Sequence, residues 1–302
     1  MLALLALVLS LTATLLVLGS PHNCNPFTVG TTDFRNKTHY NSLILGQLSA
    51  RSSRLHHRTF VAGDTHICTS HLGKTLYSQD CDLETTLTVA KGDLRLQDSK
   101  FHGANAVYYK KLRSDDNVVL KYDSELIKGD PDFPPTFPDA KADIYATSKH
   151  FLANFPTNGE IVRDAEGSTL QLLARPDCDG KFESIYTFNL VCGDLEKFKT
   201  LYISAPKRAT VLINIPDRKV DIKGLIIDID CPQKPVIRKT LFNFFNADRV
   251  KIQDTKMRGN LLVKGELVLR DSGMRGQIVA SKADFDGAKV SMARFQGNFC
   301  PK

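Results

Sequence analysis

Three copies of one short pattern stand out along the chain. They read DLRLQDSKFHG at 93–103, RVKIQDTKMRG at 249–259 and ELVLRDSGMRG at 266–276. In each copy two apolar residues alternate with polar ones, which is the period of a half-buried strand. An Asp before Ser or Thr then indicates a turn in which the short side chain caps its own backbone, and a Gly supplies a tight corner. The corner residues are Asp98, Gly103, Asp254, Gly259, Asp271 and Gly276.

These units predict a β-solenoid. The last two copies begin 17 residues apart, at 249 and 266, and each continues into another strand-like run. Strand, corner, strand at roughly 17–20 residues per unit is the periodicity of stacked coils, each of which buries its apolar face against its neighbours. Alternating stretches at 42–46, 211–215 and 220–227 have the same texture. We therefore expect a mainly β chain.

Residues 138–155 break this pattern and predict one long α-helix. Ala140, Ile144 and Phe151 recur at helical spacing. A proline at position 138 suits the first helical turn, and another at 156 ends the helix. We expect this helix to lie along the solenoid and to cover an apolar flank.

The first residues predict a signal peptide. Residues 2–18 are uncharged and almost wholly apolar, and small residues follow near Gly19. The run is short for a membrane span, which needs ~20 apolar residues. No Lys or Arg precedes the run, so an uncleaved anchor is the alternative. We expect a signal peptide at 1–19, a single domain at 20–302, an extracellular, cell-surface or cell-wall location, and no transmembrane span after cleavage.

All seven cysteines follow the signal segment, which favours disulfides in a secreted chain. Cys68 with Cys81, and Cys178 with Cys192, would each close a short loop. The remaining cysteines are Cys24, Cys231 and Cys300, and the odd total leaves one thiol free or bridging to another molecule. Zinc is the alternative, but no Cys-x₂-Cys pair occurs, so we expect no metal. Asn36 begins an N-glycosylation sequon.

The formal net charge is +7, and the Lys and Arg residues are spread along the chain. A solvated surface is the simplest interpretation, and binding to an acidic glycan or an anionic wall polymer is the second. A secreted chain without a basic–aromatic motif is not expected to bind nucleic acid. No motif for a cofactor is present.

Asp98, Asp254 and Asp271 are the sharpest candidates for chemistry. In stacked coils they would share one edge, where carboxylates could hydrolyse a polysaccharide or bind Ca²⁺. The Ser or Thr after each Asp favours a structural turn instead. No nucleophile elbow, zinc-protease helix or P-loop is present. We expect no catalytic residues and no enzyme activity.

Several stretches, in order, resemble the choice-of-anchor A domain over residues 26–297. They are FTVGTTDFRNKTHYNSLILGQLSA, TLTVAKGDLRLQDSKFHGANAVYY, FPDAKADIYATSKHFLANFPTNGEI, LYISAPKRATVLINI, LFNFFNADRVKI and MRGQIVASKADF. The resemblance implies a right-handed discontinuous β-solenoid with a docked helix, similar to ice-binding-like proteins, and a surface, matrix or adhesive role without catalytic residues. The chain departs from many members in its cysteines, its basic surface and the lack of a C-terminal anchor signal.

We therefore predict a secreted, non-enzymatic cell-surface, cell-wall or matrix protein with a structural or adhesive role. Its expected partners are a wall or matrix polysaccharide or other surface proteins, with disulfide-linked or self-associated assembly as a further expectation. One alternative is a carbohydrate-active β-helix enzyme. The other is ice binding, which needs a regular Thr ladder, whereas only Thr86 and Thr88 form such a step.

Overall fold

The computed structural model describes most of the chain from residue 42 onward. The described residues are 42–56, 58–73, 85–103, 105–122, 124–130, 145, 148–149, 152–176, 184–229, 234–291, 295–297 and 299. The predicted signal peptide at 1–19 lies outside them. Among the described residues no helix is long and apolar enough to cross a membrane.

Short parallel strands stack into coils, and each coil passes along three flanks. The covered flank contains β1 (Ser42–Ile44), β4 (Thr59–Val61), β7 (Thr85–Val89), β10 (Asn105–Tyr108), β13 (Leu126–Lys128), β16 (Ile185–Asn189), β18 (Thr210–Asn214), β21 (Thr240–Phe244) and the first halves of β24 (Asn260–Arg270) and β26 (Ile278–Asp286). The charged flank contains β2 (Leu48–Arg51), β5 (Thr65–Cys68), β8 (Leu94–Gln97), β11 (Leu112–Ser114), β19 (Lys219–Lys223), β22 (Arg249–Gln253) and the second halves of β24 and β26. The basic flank contains β3 (Arg54–Leu55), β6 (His71–Leu72), β9 (Lys100–His102), β12 (Val119–Lys121), β23 (Lys256–Arg258), β25 (Gly273–Arg275) and β27 (Lys289–Ser291).

A smaller sheet and three short helices are also described, and Tyr145, Ser148 and Lys149 have helical backbone. The sheet has the order β14 (Glu160–Arg163), β15 (Thr169–Leu173), β17 (Thr200–Ser204) and β20 (Ile226–Ile229), with β14 antiparallel to β15. The helices are a 3₁₀ turn, η1 (Leu152–Asn154), and two α-helices, α1 (Asp194–Lys197) and α2 (Lys234–Lys239). The fold is thus mainly β, with parallel, curled sheets, as the sequence predicts.

The order of the coils in space differs from their order in the sequence. The last coil, β26–β27, pairs in parallel with the first coil, β1–β3, on every flank: Ser42 lies opposite Ile278, Leu48 opposite Ala283 and Arg54 opposite Lys289. The coils that contain β4, β7, β10 and β13 extend from this junction in one direction. The coils that contain β24, β21 and β18 extend from it in the other direction. The solenoid is therefore discontinuous. Its right-handed sense remains a prediction.

The core is a column of apolar side chains inside the coils. The predicted alternation is confirmed in the repeats: Leu94 and Leu96 of β8 are buried while Arg95 between them is exposed, and Val250 and Ile252 of β22 are fully buried. Because parallel coils stack about 4.8 Å apart, each inward residue packs on its equivalents above and below.

The covered flank is apolar on its outer side as well. Leu212, Leu241, Leu262 and Val279 form an outward ridge that packs against Leu152, Phe295 and Phe299, with Tyr145 and Phe155 at its margin. These covering residues include positions 145, 152 and 155 of the predicted long helix. The described helices are all short, and most of 138–155 lies outside the described residues, so the long helix itself remains a prediction.

A ladder of asparagines attaches the covering segment to the solenoid. The Asn243 amide donates to Asn214 Oδ1 at 2.8 Å and to the Ser148 carbonyl at 3.0 Å, and Asn243 Oδ1 accepts from the Ser148 hydroxyl at 2.5 Å. The Asn214 amide in turn donates to Asn189 Oδ1 and to the Leu152 carbonyl, both at 2.8 Å. Buried polar groups that are fully paired in this way fix one arrangement of the segment.

Candidate adhesive surface

The predicted corner aspartates belong to a column of left-handed residues between the charged and basic flanks. The column has one residue in each of seven coils, each directly after a charged-flank strand and each with φ between 45° and 64°; among the described charged-flank strands, β11 is followed by no such residue. In spatial order the members are Gly224, Asp254, Asp271, Gly287, Ser52, Thr69 and Asp98. Asp254 and Asp271 lie on neighbouring coils, whereas three members separate Asp271 from Asp98, so the three carboxylates do not form one continuous row.

The hydroxyl after the corner residue, rather than the carboxylate, makes the hydrogen bond that holds the corner. Ser272 donates to the Arg270 carbonyl at 2.7 Å, and Ser99 donates to the Gln97 carbonyl at the same distance. The Thr255 N–H donates to the Ser272 hydroxyl of the next coil at 3.2 Å. These hydroxyls are buried, so the Asp-Ser and Asp-Thr pairs form a structural ladder.

The corner glycines of the repeats are needed for close approach as much as for conformation. Gly103 and Gly259 have φ of 60° and 126°. At Gly276 a Cβ would lie 1.8 Å from the Gly259 carbonyl oxygen of the neighbouring coil. Only glycine allows two backbones to stack this closely.

Two of the predicted disulfide cysteines lie within the described residues. Cys68 and Cys192 both carry free thiols. The carboxylate of Asp217 raises the pKa of the Cys192 thiol, which disfavours the reactive thiolate. Their expected partners, Cys81 and Cys178, lie outside the described residues with Cys24, Cys231, Cys300 and the sequon residue Asn36, and the pairings remain predictions. In the described ranges no three His, Cys, Asp or Glu residues group as a metal site would require.

The charged flank neutralises much of its own charge. Arg249 lies opposite Glu266 on the next strand with 3.3 Å between their charged atoms, and Lys251 lies opposite Asp221 at 3.5 Å. Arg270 pairs with Asp284 and approaches Asp286 to 3.9 Å. A shallow concavity of about 490 Å³ lies where β26 meets β2, lined by both signs of charge, including Arg51, Asp64, His66, Asp93, Arg95 and Lys282.

The basic flank differs, because its seven strands carry no Asp or Glu. Its outward side chains form two rows, and the exposed cations are Arg54, Lys100, Lys121, Lys256, Arg258, Arg275 and Lys289. None of these cations forms an ion pair within the described structure. His71 lies in one of these rows and His102 in the other. Their rings stack, and 3.1 Å separates His71 Nδ1 from His102 Nε2. Asp98, Asp254 and Asp271, each two residues before the first residue of β9, β23 or β25, lie at the corner, outside the strands.

A family model described as "Putative Ice-binding-like adhesive domain" matches residues 33–292, which is most of the chain. The chain belongs to this family. The ice-binding-like architecture that the sequence resemblance implied is therefore correct, while membership of the choice-of-anchor A family is not confirmed. No curated protein matches the chain. A solved structure of a glycosylated ice-binding protein from an Arctic yeast matches at 10% identity and a TM-score of 0.31, over 83% of this chain and 90% of that chain, and a score this low carries no argument.

Sequence reasoning missed the basic flank of this ice-binding-like adhesive domain. The cations appear dispersed along the chain, and the K-x-R and x-x-R endings of two repeats, at 256–258 and 273–275, were the available signal. Six strands of the basic flank each begin two residues after the left-handed corner residue: β3, β6, β9, β23, β25 and β27. An alignment of the coils on this corner residue would have revealed the two rows of cations.

Proposed function

We propose that this chain is a secreted, non-enzymatic adhesive domain that binds polysaccharide at a cell surface, cell wall or matrix. The observation that carries the proposal is the division of the solenoid into one covered flank and two flanks whose strand side chains point outward to solvent. Long, flat, exposed β surfaces suit attachment to an extended polymer, whereas a small-molecule site needs a deep pocket that buries its ligand. The adhesive description of the family supports the same conclusion.

The arrangement of the carboxylates favours adhesion over glycan hydrolysis. Asp254 and Asp271 are neighbours, but they lie at a hydrogen-bonded corner and do not line the charged concavity. A glycosidase holds its acid and its nucleophile or base on opposite sides of a bound sugar. Two carboxylates on one edge of stacked coils do not provide that geometry.

The finer parts of the proposal follow from the sequence. They are cleavage of a signal peptide near residue 19, glycosylation at Asn36, disulfide pairing of the cysteines and a right-handed coil with a helix over 138–155. Retention at the surface would then rest on polymer contacts or on an intermolecular disulfide.

Cell fractionation and a binding assay test the function together. Cells that produce the tagged chain are separated into medium, wall and membrane, with and without reductant, and the purified domain is sedimented with insoluble wall or matrix material. We expect the chain outside the cell and the domain in the pellet, with no release of reducing sugar. A cytosolic chain, a domain that stays in the supernatant, or steady sugar release would refute the proposal.

A further inference from the structure

We propose that the basic flank binds a linear acidic polysaccharide with one anionic group per sugar, laid along the solenoid axis. The proposal rests on the adhesive function above and adds the ligand class and the surface. It uses the seven strands from β23 to β12, which follow one another in the order β23, β25, β27, β3, β6, β9 and β12.

The first argument is that charges of one sign oppose each other directly on this flank. Residues opposite each other on adjacent strands stabilise a sheet when their charges differ and destabilise it when they are alike. Here the opposed pairs combine cations with cations or with imidazoles. They are Arg258–Arg275, Lys289–Arg54, His71–Lys100 and His102–Lys121.

The second argument is the contrast with the charged flank, which has the same backbone and the same spacing. Arg249 opposes Glu266, Lys251 opposes Asp221 and Glu266 also opposes Lys282, so unlike charges meet at these positions. Like charges also meet on this flank, where Arg95 opposes Arg113 and Lys219 opposes Arg249. The charged flank is thus neutralised in part by its own acidic residues, and the strands of the basic flank contain no acidic residue that could do the same. A polyanion would supply the missing countercharge, and its binding would remove the repulsion.

The third argument is the repeat distance. Adjacent strands lie about 4.8 Å apart, so seven strands present a surface roughly 29 Å long. One sugar unit advances a polysaccharide chain by a similar distance, so a polymer with one anion per sugar presents one anion to each coil. The occupant expected from this match is extended and regularly charged, because the cations recur from coil to coil along the flank.

Binding of polygalacturonate, a linear chain with one carboxylate per sugar, tests the proposal in the full mature chain. Fully methyl-esterified polygalacturonate is the control polymer, because it keeps the backbone and removes the charge. Isothermal titration at physiological salt compares the parent with two variants. R258Q/R275Q removes two opposed arginines from the basic flank, and R95Q/R113Q removes two opposed, exposed arginines from the charged flank.

Each surface cation near an anionic surface contributes about 1 kcal/mol, or roughly fivefold in affinity. We therefore expect R258Q/R275Q to weaken binding at least about tenfold and R95Q/R113Q to weaken it less than about threefold. The parent should not bind the methyl ester. If R258Q/R275Q does not fold, as judged by circular dichroism, K256Q/K289Q replaces it with the same expectation.

Three results would overturn the inference. They are no binding of polygalacturonate, equal losses in the two variants, and tighter binding to duplex DNA than to polygalacturonate, which would mark the flank as a nucleic-acid surface. Sedimentation with whole wall material distinguishes failure of the ligand assignment from failure of the proposed adhesive function. If the parent and R258Q/R275Q both sediment equally, the adhesive function stands and the ligand assignment falls.

Discussion

Replacing Gly276 by alanine is expected to open the stack between two coils. The new Cβ would lie 1.8 Å from the Gly259 carbonyl oxygen and 2.6 Å from its carbonyl carbon, and both are backbone atoms that cannot rotate away. Relief requires the coils to separate locally. That movement stretches the hydrogen bond from the Gly259 N–H to the Arg275 carbonyl, which is 3.1 Å long.

The cost follows from these two effects. Overpacking typically costs about 1–3 kcal/mol, and the weakened hydrogen bond adds about 1 kcal/mol, so Gly276→Ala should lower the free energy of unfolding by about 2–4 kcal/mol. Urea unfolding followed by far-UV circular dichroism measures this, since the chain has no Trp for fluorescence. Gly273→Ala is the matched control, because a Cβ at 273 meets only the Lys256 side chain at 3.8 Å. If the two variants were equally stable, the close stacking at Gly276 would be refuted.

Two further predictions concern the segment that covers the solenoid and the turn between β14 and β15. Asn243→Ala removes three hydrogen bonds between buried groups and should destabilise the fold by about 3 kcal/mol. Hydrogen exchange near residue 152 should become faster. Asn246→Ala is the control, because it loses one hydrogen bond at 3.3 Å and should cost under about 1 kcal/mol. Hydrogen bonds from the Ser168 hydroxyl and from the N–H groups of residues 167–169 lower the pKa of Asp164. Its stabilisation is therefore complete above the unfolded pKa of about 3.9 and is lost as the pH falls through the lower folded value. Asp164→Asn should consequently lose less stability than the parent between pH 5 and pH 2 in thermal melts, and an identical pH dependence would contradict this.

The strands and part of the corner were predictable, because local patterns set them. Alternation in 93–97 and 249–253 identified half-buried strands, and Asp-Ser or Asp-Thr marked corners in three coils. The other four corners, at Ser52, Thr69, Gly224 and Gly287, were missed. The backbone requires only a left-handed residue there, and Gly, Asp, Ser and Thr all occupy the position in this chain although positive φ is uncommon for Ser and Thr, so no single residue type marks the site.

Other features depend on contacts between distant parts of the chain and could not be predicted from local patterns. The Ala288 N–H donates to the Ser53 hydroxyl across 235 residues of sequence, which joins the last coil to the first. Only the family resemblance suggested this discontinuity. The asparagine ladder is similarly hidden, because Asn189, Asn214 and Asn243 lie within ordinary apolar strands and become partners only when three coils stack.

The charge distribution shows that the amino-acid composition does not predict where the charges lie on the folded chain. A net charge of +7 spread along the sequence indicates only a solvated surface. Stacking sorts those charges by their position within the coil: on the charged flank several cations meet acids, and on the basic flank cations meet other cations or imidazoles. Since both flanks are built on the same corner column, the backbone does not require this difference. The repulsion on the basic flank costs stability in the isolated chain, and it is best explained by a ligand whose anions repeat at the spacing of the coils.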